Sequence, residues 1–224
     1  MIRRLLAEGA GTFLLTFAVG ACNSEPFAVG GSLWAAMIFT GFVSGAQFNP
    51  AVSLAIIINR ALWRTLTKES LIELLLNIVI QIIFALLGAL LAGSIVTYVS
   101  YFDVGEGYIT SEAFFAELIY SIILTADALM VGQLTNSNLI GGGVVAMSVA
   151  AGNWSIGKIT GGCFNPAVGF AINVTNYGMN GDHFDHTWLY IVAPLLGGVF
   201  GSVLAYVFAS ELKAQRASVE VKDS

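Results

Sequence analysis

Two asparagines, Asn49 and Asn165, stand directly before Pro-Ala pairs that open apolar runs. Phe48–Ala55 reads FNPAVSLA and Phe164–Ala171 reads FNPAVGFA. Asn-Pro in this position predicts a helix start. The Asn side chain can cap the first free backbone N–H groups, and Pro50 or Pro166 lacks an N–H that would be unpaired there anyway. Such residues suit polar contact and electrostatics rather than bond making. A helix N-terminus carries roughly +0.5 of an elementary charge. Two such ends facing each other create a positive zone that is hostile to cations. Two broken helices meeting at mid-membrane are how many permeation sites are built.

The elements that must position these residues are membrane spans. Hydrophobic residues make up 57% of the chain and charged residues 10%, and the mean hydropathy is +0.82, outside the soluble range. Six stretches approach the roughly 20 apolar residues that a span needs: Leu5–Cys22, Phe27–Gly45, Leu71–Tyr98, Phe114–Leu134, Leu139–Ile156 and Trp188–Ala209. Pro50–Asn59 and Pro166–Asn173 are too short to cross and read as re-entrant half-helices. Backbone of that kind is tolerated only where protein or a water-filled cavity satisfies it. Arg3-Arg4 before an apolar stretch imitates a leader, but Glu8 inside that stretch favours a retained first span.

The halves repeat. Ala7–Leu15 (AEGAGTFLL) is similar to Ala116–Leu124 (AELIYSIIL), so each half reads helix, helix, half-helix, helix. An odd number of spans per half inverts the second half relative to the first. The chain is therefore expected to be one all-α transmembrane domain, 1–224, with inverted repeats at about 5–101 and 113–209 and a polar, disordered tail at 210–224. Arg3, Arg4, Arg60, Arg64, Lys68, Lys213, Arg216 and Lys222 then fall on one side and only Lys158 on the other. The positive-inside rule makes that side, with both termini, cytoplasmic. Small residues four apart, at Gly88/Ala92, Ala89/Gly93, Gly197/Gly201 and Gly198/Ser202, predict close helix crossing inside one subunit.

Several function classes are disfavoured. Nine Lys/Arg without a basic cluster argue against nucleic-acid binding. Cys22 and Cys163 are expected as free thiols. GDHFDH, with His183 and His186, reads as a solvated polar loop ahead of a metal site. No nucleotide or cofactor motif is present, and no enzyme activity is expected.

SGAQFNPAVSLA (Ser44–Ala55) and TGGCFNPAVGFA (Thr160–Ala171) resemble the two Asn-Pro-Ala loops of the aquaporin/glycerol-channel family. AEGAGTFLL, AELIYSIIL and WLYIVAPLLGG (Trp188–Gly198) are similar to its first, fourth and sixth helices, so the resemblance covers about Leu5 to Ala209. It implies an aquaporin-like bundle of six spans and two half-helices, assembled as a homotetramer in the lipid bilayer. The Asn-Pro-Ala residues Asn49, Pro50, Ala51, Asn165, Pro166 and Ala167 would meet at mid-pore. Each Asn would turn its amide N–H₂ toward a passing water while its oxygen caps the helix. Cation and proton exclusion by the half-helix dipoles is a known trait of pores of this type. Glu8 and Glu117, carboxylates inside spans, would accept hydrogen bonds from the re-entrant loops. Asp127 has no such counterpart in the first half, where the matching residue is Ala18; it lines the cytoplasmic vestibule or bonds a neighbouring helix.

The sequence departs from the family at the selectivity filter. Most members carry Arg directly after the second Asn-Pro-Ala; here it is Val168. Gap-free counting back from Asn165 places Asn153 at the filter position on the fifth helix; Cys163 takes the loop position, and the position on the second helix falls near Val29. Gly169 replaces the Asp usual in glycerol-conducting members, and Tyr190-Ile191 replaces the aromatic pair of water-selective ones. The resulting expectation is a passive channel for water and small uncharged solutes such as glycerol, urea or peroxide. Two alternatives stay open: a solute channel with little water flux, and an anion-conducting pore owing to Val168.

Overall fold

The computed structural model describes residues 1–97 and 99–223, with the backbone alone at 217 and 219–223. Among the described residues eight helices run in the order α1 (Ile2–Ala21), α2 (Pro26–Ser44), α3 (Pro50–Leu62), α4 (Lys68–Ile95), α5 (Thr110–Leu134), α6 (Asn138–Thr160), α7 (Pro166–Asn180) and α8 (Leu189–Asp223). Among the described residues there is no strand, and the fold is all-α. Six of the helices are long and apolar enough to cross a membrane. With 13 and 15 residues, α3 and α7 reach only about 20 Å, short of a ~30 Å hydrocarbon core.

Several boundaries differ from the sequence reading. Helix α4 ends at Ile95, and Tyr98, the expected end of that span, lies outside the described residues. Helix α7 continues past Asn173 to Asn180, through Gly178, and stops where Gly181 adopts the left-handed conformation. The tail expected to be disordered instead extends α8 to Asp223; Ser224 lies outside the described residues. The stretch ELKAQRA consists of good helix formers, and Lys213 places its ammonium 3.6 Å above the Trp63 ring at the end of α3.

Helix packing has a two-fold pattern. Exchanging α1, α2, α3 and α4 for α5, α6, α7 and α8 maps each packed pair onto another packed pair. Thus α1·α4 corresponds to α5·α8, α3·α8 to α4·α7, and α1·α2 to α5·α6, while α2·α6 and α3·α7 map onto themselves. The small-residue pairs serve these crossings within the chain. A Cβ on Gly88 would lie 2.6 Å from the Phe13 carbonyl of α1, and one on Gly198 would lie 2.5 Å from the Ala51 carbonyl of α3. The outer face is apolar, with Phe39 and Phe42 at 70% and 76% exposure. A surface of that kind is solvated by lipid.

Candidate permeation site

The two half-helix starts are built alike. Asn49 accepts at Oδ1 from the Ala51 N–H (2.8 Å), and Asn165 accepts from the N–H groups of Ala167 (3.1 Å) and Val168 (3.4 Å). With each oxygen engaged as a cap, the amide nitrogen points the other way. Asn49 Nδ2 donates to the Phe164 carbonyl (2.9 Å), and Asn165 Nδ2 donates to the Phe48 carbonyl (2.8 Å). Each N–H₂ has two hydrogens, so each asparagine clasps the opposite loop and retains one N–H for the cavity that both side chains line.

Phe48 and Phe164 have φ of 50° and 54°, in the left-handed region that non-glycine residues rarely adopt. Such a conformation persists only where its surroundings over-determine it. Here both peptide ends are held. The Phe48 N–H donates to Glu8 and the Phe164 N–H to Glu117 (2.8 Å), while the carbonyls take the asparagine donors. Both carboxylates are fully buried. Glu8 also accepts from the Gln47 N–H (3.3 Å) and from Gln81 Nε2 (2.8 Å). Glu117 also accepts from the Cys163 N–H (2.9 Å) and the Thr160 hydroxyl (2.7 Å). Their geometry is that of loop anchors, and neither appears in the wall of the cavity.

That cavity is narrow, with a volume of about 40 Å³. Val29, Asn153, Cys163 and Val168 all line it, together with Asn49 and Asn165. The four residues singled out in the sequence are thus brought together on one cavity. Asn153 is 5% exposed and donates from Nδ2 to the Gly162 carbonyl (3.1 Å). The Cys163 thiol donates to the Asn165 carbonyl (3.3 Å). Toward the end of the bundle that carries Arg60, the cavity shares Met37, Ala46, Gln47, Val52 and Val145 with a wider vestibule of about 300 Å³. Gln47 is oriented by hydrogen bonds from Ser53 Oγ (2.6 Å) and Asn77 Nδ2 (3.4 Å) to its Oε1. Its amide nitrogen is left for the cavity.

Phe102 is a lining residue that the sequence reading missed. It sits in the segment between α4 and α5, is 2% exposed, and joins the cavity wall. Asn173 of α7 holds it from both sides: the Phe102 N–H donates to Asn173 Oδ1 (2.8 Å), and Asn173 Nδ2 donates to the Phe102 carbonyl (2.9 Å). The next residue, Asp103, hydrogen-bonds His183 Nδ1 (2.7 Å) and His186 Nδ1 (2.6 Å), and Tyr101 stacks on His183 at 3.6 Å. The GDHFDH loop is thus tied down rather than merely solvated. Burial alone would raise the Asp103 carboxyl, but hydrogen bonds from the two histidines and the Val104 N–H outweigh it and hold the group below its ordinary range. Asp127 does not line the cavity; it accepts from the Ser148 hydroxyl across the α5–α6 contact.

Comparisons with known proteins point one way. Residues 1–206 match the family described as Major intrinsic protein. The chain is 27% identical over 224 residues to a glycerol uptake facilitator protein-like 6 of Lactiplantibacillus plantarum, covering 94% of this chain and all of that protein. It is 27% identical to a probable aquaporin, NIP7-1, of Arabidopsis thaliana, covering 92% of this chain and 76% of that protein. Among solved structures, the aquaglyceroporin of Plasmodium falciparum has the same fold, with a TM-score of 0.69 at 19% identity, covering 92% of this chain and 95% of that one.

Proposed function

The chain belongs to the major intrinsic protein family, and from that premise we propose that it is a passive channel for water and small uncharged solutes such as glycerol, urea or peroxide. The observation that carries the reading is the pair of asparagine-capped half-helix ends lining one enclosed cavity. A water or hydroxyl at that level accepts the free N–H of Asn49 or Asn165. A water that accepts from both has its lone pairs engaged and relays a proton poorly. The positive helix ends repel cations. Transport is downhill and needs no cofactor. The pore residues are Asn49, Pro50, Ala51, Asn165, Pro166 and Ala167; the filter residues are Val29, Asn153, Cys163 and Val168; Glu8 and Glu117 anchor the loops.

The assembly that fits this reading is a homotetramer in the bilayer, one pore per subunit. Both termini lie on the cytoplasmic side, where the basic residues gather. The test is osmotic: proteoliposomes of the purified chain should shrink faster than empty vesicles under a sucrose gradient and swell back in glycerol or urea. Negligible water flux with rapid solute flux would replace this reading with a solute channel. Val168 leaves room for a second reading, an anion pore, because the cavity wall there lacks the bulky arginine usual in the family while the positive half-helix ends oppose cations but not anions. Planar bilayers in salt should stay silent; a chloride current would establish the anion pore instead.

A further inference from the structure

The wall of the central cavity is built in pairs, one member from each half of the chain. Met37 matches Asn153, Gln47 matches Cys163 and Val52 matches Val168, each at the sequence separation of Asn49 from Asn165. Counted from Glu8 and Glu117, Val19 finds its mate, Ala128, in the adjoining vestibule. Phe102 has no mate. It lies in the connection between α4 and α5, outside both repeats. Among the described residues it is the one aromatic ring in the cavity wall.

The two ends of the cavity differ accordingly. At the end that carries Arg60, Met37, Gln47 and Val52 line the cavity and the vestibule alike, so the path there is continuous. At the opposite end their mates meet no such opening. The hollow on that side is lined by Asn23, Ser24, Tyr101, Asp103, Gly157 and Gly161, and among the described residues it shares none with the cavity. Tyr101 and Asp103 line the hollow, and Phe102 between them lines the cavity. This one residue therefore stands where the repeat alone would leave a second mouth.

The ring is firmly seated. A Cβ on Gly161 would lie 2.8 Å from Phe102 Cδ1. Tyr190 packs on the ring with centroids 5.5 Å apart, and its own hydroxyl is tied to the Thr160 carbonyl (2.9 Å). Asn173 grips the Phe102 peptide at both its N–H and its carbonyl, and its Nδ2 also donates to Thr187 Oγ1 (3.1 Å). Close-packed side chains of this kind hold one position.

We infer that Phe102 is the size-determining residue of the pore: its ring sets the largest solute that leaves the cavity at the end away from Arg60, and Asn173 is the positioning residue that keeps it there. The paired wall alone would be as open at this end as at the other. The inference rests on the channel reading.

The experiment is stopped-flow light scattering on proteoliposomes of the full chain, with water and the four-carbon polyol erythritol as probes, per reconstituted chain and after subtraction of empty vesicles. A hydroxyl squeezed past an aromatic ring finds no partner, and one net hydrogen bond at a barrier corresponds to about a tenfold change in rate. Phe102→Ala should therefore raise erythritol flux about tenfold while water flux changes less. Asn173→Ala should raise it in the same sense, and the double variant should go no further than Phe102→Ala alone. Should Phe102→Ala fail to assemble, Phe102→Leu decides, with a smaller rise in the erythritol-to-water ratio. An unchanged ratio in the variant that assembles overturns the inference, as does an equal rise in both fluxes, which marks a general leak. Full additivity of the two alanine substitutions removes Asn173 from its positioning role. Absence of any flux above empty vesicles in the unaltered chain overturns the channel reading instead.

Discussion

The two re-entrant loops share a scaffold and differ in what they show to the cavity. Each hangs a left-handed phenylalanine between a buried carboxylate and the asparagine of the opposite loop. Beyond that shared grip they diverge. Glu8 lies in a side-chain network: Gln81 Nε2 bonds both Glu8 and Ser53 Oγ, and Ser53 and Asn77 orient Gln47, which turns a donor toward the cavity. Glu117 is engaged by its own loop alone, through Thr160, Cys163 and Phe164. The first loop can shed one bond onto neighbours, whereas the second depends on one carboxylate. The first keeps a donor, Gln47, at its mouth, whereas the second presents the Cys163 thiol, which already donates to the Asn165 carbonyl. Symmetry has been held where the backbone needs it and released where the solute passes.

Breaking the carboxylate grip should expose this asymmetry most strongly. Glu117→Leu orphans two backbone N–H groups and a hydroxyl, and at about 1–3 kcal/mol per buried orphan the loss is several kcal/mol. Glu8→Leu leaves Gln81 bonded to Ser53 and should cost less. Thermal denaturation in detergent ranks the two, and a larger fall in Tm for Glu8→Leu would reverse the comparison. Next comes the lining. Val168→Arg places a bulky cationic donor in the cavity wall, and urea flux should fall by about tenfold or more while water continues to pass. Unchanged urea flux would remove Val168 from the narrow part of the path.

The thiol gives a smaller, all-or-none test. Mercurials should block flux through Cys163, Cys163→Ser should conduct and resist, and Cys22→Ser should stay sensitive. Inhibition of Cys163→Ser would move the block elsewhere. The smallest effect belongs to the brace behind Phe102. The Asp103 carboxyl is held below its ordinary range in the folded chain. Its contribution is therefore present above the unfolded carboxylate pKa and lost as pH falls through the lowered folded value. Tm should dip on that acid side, and Asp103→Asn should flatten the dip; an unchanged profile would show that the histidine tie does not stabilise the second loop.

Much of this was legible in the residues. Asn-Pro before apolar runs marks helix starts by local chemistry alone, and Glu8 and Glu117 stand out because carboxylates inside spans need partners. Gap-free counting from Asn165 reached Asn153 and Cys163 because α6 runs unbroken into the loop. Phe102 was not legible, since its place in the wall is fixed by Asn173, distant in sequence, and nothing in SYFDVGEG marks it. Asp127 offered two readings, and only the packing of α5 on α6 could choose Ser148. The helical tail was misjudged because polarity was read as disorder, although the segment contains no helix breaker.

The crossed clasp of Asn49 on Phe164 and Asn165 on Phe48 imposes an order in time. A chain emerging from the ribosome makes its first half-helix long before the residue that will hold Phe48 exists. Until Asn165 arrives, the first loop keeps an unpartnered carbonyl in a conformation it does not prefer. The N-terminal half is therefore an unfinished object on its own, and the pore closes around its centre only when the second half has been threaded into the membrane to meet it.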